Sequence, residues 1–135
     1  MKFSLFILFL MITLSAQADQ SANHLARYIG KLNMYDVTFT LLDSKCSTSY
    51  SLTKKQVEEI DKLTLEKTGV SYKKYTSIVG DPELTLEMAE EAIQPLLDNN
   101  CNARLLDHWH YRVSKGVDKN LSELRNAEPT SMQIK

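Results

Sequence analysis

Glycine and proline are scarce in this chain, four and three copies in 135 residues, and each stands alone. No glycine-rich run exists that could cradle a phosphate with backbone amides. Cysteine is scarcer still, with two copies, which is unlike the cysteine-dense frameworks of small extracellular proteins. Neither sign of charge prevails, since the formal net charge is −1. That balance supplies no footprint for nucleic acid or for an anionic membrane. Long apolar runs are missing everywhere except at the very start.

That start has its own meaning. Lys2 is followed by a nearly unbroken apolar run from Phe3 to Leu14, closed by Ser15-Ala16-Gln17-Ala18. A short positive start, an apolar run and a small-x-small pair predict a secretory signal over residues 1–18, cut after Ala18. The run falls short of the roughly 20 residues that span a bilayer. No cysteine lies near the cut, so no acylated anchor is expected, and no membrane insertion after cleavage. The mature chain then runs from Asp19 to Lys135, 117 residues, with 15 basic against 17 acidic side chains. It reads as one helical domain over residues 19–127 and a flexible tail over 128–135.

An exported chain meets oxidising conditions, and Cys46 and Cys101 allow one intramolecular pairing. A free thiol and an intermolecular bridge are the rival outcomes. Closing this loop would stabilise the fold by about 4 kcal/mol in the chain-entropy view. A single bridge in a domain of this size favours the periplasm over the extracellular space.

The apolar pattern is helical throughout. Leu25, Tyr28, Leu32, Tyr35, Phe39, Leu42 and Cys46 alternate spacings of three and four, predicting one helix from Ala22 to Cys46. Asp43 to Ser51 is serine-rich and reads as a loop. Thr53 and Gln56 have the spacing of a capping box, with Leu52 and Val57 at the staple positions. Val57, Ile60 and Leu63 are the expected buried stripe of that second helix, and Gly69 its stop. Residues 70–79 fit either a short helix capped by Ser71 or a strand-like connector. The helix is favoured because no partner strand is evident.

Asp81 and Pro82 open the next helix. Leu84, Met88, Ala92 and Leu96 recur every four residues as its expected buried stripe, and Pro95 should kink or end it near Gln94. The last helix, Ala103 to Ala127, carries Leu106, Trp109, Val113, Val117, Leu121 and Leu124. Gly116 interrupts that stripe and marks a close helix crossing. The predicted fold is all-α: a single-domain bundle of four to five helices, stapled by Cys46–Cys101.

Chemistry is harder to find. In Asp107-His108-Trp109-His110, the two histidines point about 200° apart on a helix, so they cannot share one metal. Asp107 and His110 share a face but lack a third ligand. In the plainer reading Trp109 anchors the core between two boundary histidines, with His108 between Arg104 and Arg112. Ser51-Leu52-Thr53-Lys54 and Ser71-Tyr72-Lys73-Lys74 match a bare S-x-x-K, without companion motifs. Asn120-Leu121-Ser122 is a glycosylation sequon in mid-helix. No catalytic residue, cofactor or metal site is assigned.

What remains is surface suited to recognition. Tyr72, Tyr75, His108, His110, Tyr111 and Arg112 have hot-spot character, and Glu83, Glu87 and Glu90 form an acidic helix face that could dock a charged partner. Size, export and architecture are similar to those of small periplasmic helical immunity proteins. The expected function is therefore a non-catalytic exported protein that binds a protein partner, as an inhibitor, immunity-type or envelope accessory protein. The alternative is a small-ligand or metal carrier using a cavity near Trp109, where Pro95 and Gly116 let helices part.

Overall fold

Helix ends leave backbone groups unpaired, and this chain satisfies them with side chains at the places its sequence marks. A computed structural model describes residues 2–130, with side chains from residue 20 onward. Five helices form among the described residues: α1 (Lys2–Cys46), α2 (Lys54–Thr68), α3 (Tyr72–Ile78), α4 (Pro82–Asp98) and α5 (Ala103–Asn126). No strand occurs among them. The fold is all-α, and Cys46 is bonded to Cys101.

α2 starts with the expected capping box: the Gln56 amide donates to Thr53 Oγ1 (3.2 Å) and the Thr53 amide donates to Gln56 Oε1 (2.9 Å). It stops at Gly69, whose φ of 81° suits a residue without Cβ. Residues 72–78 are helical, capped by Ser71. Asp81 caps α4 through Oδ1, which accepts from the Glu83 and Leu84 amides. Asn102 does the same for α5.

Two helices depart from expectation. α1 begins at Lys2 rather than at Ala22, in a stretch with no proline and with Gly30 as its first glycine. Met1 and the side chains of the expected export signal lie outside the described residues. α4 does not end near Gln94 but runs through Pro95 to Asp98. Ile93 and Leu96 are buried on either side of the proline, so packing holds the segment helical despite one missing N–H. The last turn is closed by Gln94 donating to Asp98 (2.8 Å) and Asn99 donating to the Pro95 carbonyl (2.7 Å).

α1 is the central element, contacting each of the other four helices and most extensively α4 and α5. Its buried arc is wider than the seven-position stripe, because Ile29 and Thr38 are buried beside Leu25, Leu32, Phe39 and Leu42. The main core joins α1 to Ile60 and Leu63 of α2, Tyr75 of α3, and Val117, Leu121 and Leu124 of α5. A smaller core gathers Leu42, Ile93, Leu96 and Leu106 beside the disulfide. Trp109 and Tyr50 touch both.

Gly116 is where α5 meets α1. A Cβ there would fall 2.2 Å from the Tyr35 hydroxyl oxygen, so the missing side chain makes room for the end of a ring from α1 rather than for a close approach of the two backbones. Past α5, the Thr130 amide donates to the Lys67 carbonyl (2.7 Å) and Lys67 Nζ donates to the Ala127 carbonyl (2.7 Å). Residues 131–135 of the expected tail lie outside the described residues.

Candidate functional site

The corner at the disulfide is built around a carboxylate that the apolar periodicity of α1 passes over. Asp43, in the last turn of α1, accepts from Thr48 Oγ1 (2.6 Å), the Tyr50 amide (2.7 Å), the Ser51 amide (2.8 Å) and Ser51 Oγ (2.5 Å). Desolvation pulls its carboxyl upward, but these four bonds outweigh that and bring it down to about 2. The serine-rich loop is thus wrapped on one carboxylate, and the wrapping sets the position of Tyr50. Ser51 of the first S-x-x-K sequence is held in this knot, while Ser71 of the second caps α3.

The Tyr50 ring lies flat on His110, with centroids 4.0 Å apart and planes 7° from parallel. Its hydroxyl donates to Asp107 Oδ1 at 2.7 Å. Desolvation and that carboxylate push the tyrosine up to about 12. His110 also meets Phe39 edge-on at 5.3 Å, and Trp109 meets the same ring at 5.9 Å. Asp107 and His110 are therefore committed to Tyr50, and among the described residues no group of three or more His, Cys, Asp or Glu could hold a metal ion. A helix-terminal Asp followed by several hydroxyl residues is the signal that could have exposed this knot.

Tyr75 is buried and Tyr72 half-buried, so neither ring stands free on the surface. Tyr75 is 5% exposed in the main core, where desolvation raises its hydroxyl pKa. Tyr72 is half-buried and donates to Asn33 Oδ1 (3.1 Å) and Asp36 Oδ2 (3.5 Å) of α1. Burial and the Asp36 charge raise its pKa well above the ordinary value. α3 has only seven residues, so its two rings are the surface it can pack against α1. The sequon is likewise consumed by packing: Asn120 is buried and donates to the Gly116 carbonyl (2.7 Å).

His108, Tyr111 and Arg112 do share exposed surface on α5. Lys115 Nζ sits 4.3 Å above the Tyr111 ring. His108 and Arg112 also line a cleft of about 470 Å³ between the end of α4 and the first half of α5. The cleft exists because α4 and α5 rest on α1 and their backbones approach each other little beyond the connecting turn. Pro95, Leu96, Leu105, Trp109 and Val113 supply its apolar walls, and Asn99 completes them.

The third feature is the outer surface of α4. Glu83, Glu87 and Glu90 are exposed, as is Glu91. The predicted buried stripe, however, is not the one the fold uses. Leu84 and Met88 are 50% and 48% exposed and Ala92 is also exposed, whereas Ala89, Ile93 and Leu96 pack inward. Both sets have helical spacing, and α1 accepts the one whose neighbours also fit the small core beside Leu42 and Leu106. Leu86, 44% exposed, lies on the other edge of the acidic face, over a groove against α1.

Among the described residues no helix is long and apolar enough to cross a membrane. The chain matches no protein-family model, no curated protein and no solved structure.

Proposed function

We propose that this is a non-catalytic, exported binding protein that acts by docking a protein partner on the outer face of α4. One observation carries the reading: the helix bears a second apolar stripe, Leu84–Met88, left in solvent beside Glu83, Glu87 and Glu91. Ile78 and Val79, just before α4, are also 48% and 47% exposed. Exposed apolar groups flanked by charges suit an interface, the apolar groups giving buried area and the charges orienting the encounter. A partner with basic residues around an apolar centre complements it. The disulfide supports export to an oxidising compartment, with the periplasm favoured, where an inhibitor or immunity-type protein would work by covering its target.

The test is capture of a partner from native periplasm by the oxidised protein, compared with the Met88→Glu and Leu84→Glu variants. A single stoichiometric partner that both substitutions release, at unchanged melting temperature, is the expected result. Capture that both variants retain would place the interface elsewhere.

A further inference from the structure

We infer that the cleft between α4 and α5 is a binding site for a small amphipathic carboxylic acid, a single apolar chain or ring bearing one carboxylate. Neither Leu84 nor Met88 of the proposed docking face lines it. Its volume of about 470 Å³ lies within the range of small-molecule pockets. Leu96, Leu105 and Trp109 offer an apolar bed that would take a hydrocarbon out of water.

Charge decides the rest. His108 and Arg112 line this cleft, one turn apart on α5, and no acidic side chain lines it. Among the described residues neither forms an ion pair, since the pairs present are Lys54–Glu58, Lys62–Glu66 and Arg125–Glu59. An unpaired guanidinium beside an apolar wall suits a carboxylate, which it can grip with two parallel hydrogen bonds. The groove between α1 and α4 makes the contrast. It encloses about 310 Å³ against Val37, Leu41 and Leu86, but its one charged lining residue is Asp36. That groove repels the anion that the α4–α5 cleft attracts.

Trp109 makes the proposal directly readable, because it is the sole tryptophan and lines the cleft. The probes are hexanoate, octanoate and decanoate, each with its matched 1-alkanol, titrated into the oxidised protein by tryptophan fluorescence and calorimetry. Saturable one-to-one binding of an acid, about tenfold tighter than its alcohol, is expected. In the His108→Gln/Arg112→Gln double variant the acid should weaken to the level of the alcohol. In Leu105→Glu both should be lost with the melting curve unchanged, Leu105 being 43% exposed. No saturable binding by any acid, equal binding of acid and alcohol, or acid binding unaltered in the double variant overturns the assignment. Loss of protein-partner capture in Leu105→Glu, with no acid bound by the parent protein, would give the cleft to a partner's side chain instead. Because Met88→Glu lies outside the cleft lining, failure of the α4 docking reading leaves this result separately readable.

Discussion

α4 and α5 leave the same turn, lie on the same central helix and are both amphipathic, yet they use their apolar residues differently. On α5 the expected stripe is the one that packs: Leu106, Val117, Leu121 and Leu124 are buried, with Trp109 and Val113 half-buried. On α4 the expected stripe stays largely in solvent, and Ala89 and Ile93 take its place. α5 carries one apolar face bounded by charge on both sides, so only one orientation buries it. α4 carries apolar residues on more of its circumference than α1 can cover, and what is left over is available to something else. Surplus apolar surface on a helix whose orientation is already settled is the best pointer to function in this molecule.

The comparison can be broken first at the corner both helices share. Cys101→Ser should lower stability by about 4 kcal/mol while leaving helix content intact, because the bridge acts chiefly on the unfolded chain. An unchanged denaturation midpoint would remove the bridge from the account. Next, Ile93→Ala, on the buried side of α4, should cost about 3 kcal/mol in chemical denaturation. A loss under 1 kcal/mol would mean that α4 is not seated as described.

On α5, Gly116→Ala sets a methyl against the Tyr35 hydroxyl and should cost about 1–2 kcal/mol, more than the gain in helix propensity returns. The same substitution in a Tyr35→Leu background should be neutral or stabilising. If both backgrounds respond alike, the Tyr35 contact is not the cause.

The acid limb of the stability curve comes next. Asp43 has its folded pKa lowered to about 2 from an ordinary 3.8. Its contribution is therefore fully present above pH 3.8 and lost as pH falls toward 2. Asp43→Asn should flatten that part of the curve, measured as melting temperature against pH. An acid limb that keeps its slope would show the knot to be energetically idle. The smallest effect belongs to Met88→Ala, expected within about 0.5 kcal/mol of the parent protein, in sharp contrast to Ile93→Ala on the neighbouring face. A large destabilisation there would mean the α4 stripe is structural.

Much of the fold was legible because its signals are local. The Thr53–Gln56 box, the Gly69 stop and the Asp81-Pro82 start act across three or four residues, and each is found where it is written. The α5 stripe was legible for the same reason. Aromatic rings beside lysines suit an interface and a boundary equally well; Tyr75 is buried and Tyr72 half-buried because the shortness of α3 makes them the surface it packs with. His110 was placed on the surface because its partner, Tyr50, is sixty residues away and reaches it through a loop folded on Asp43. The sequence places a cavity near Trp109, but its volume and the presence of His108 and Arg112 in its lining depend on how far α4 and α5 diverge.

From the order of residues alone follow the helical class, the capped helix starts, the pairing open to Cys46 and Cys101, and the one apolar face of α5. The helical features are set by backbone hydrogen-bond satisfaction or by periodicity within a single element, and the pairing by there being only two cysteines. Packing decided which of α4's two apolar stripes goes inward, the fate of Tyr75, the stacking of Tyr50 on His110 and the opening of the α4–α5 cleft. These depend on competition between distant surfaces for the limited area of α1, and no local pattern records the outcome of that competition.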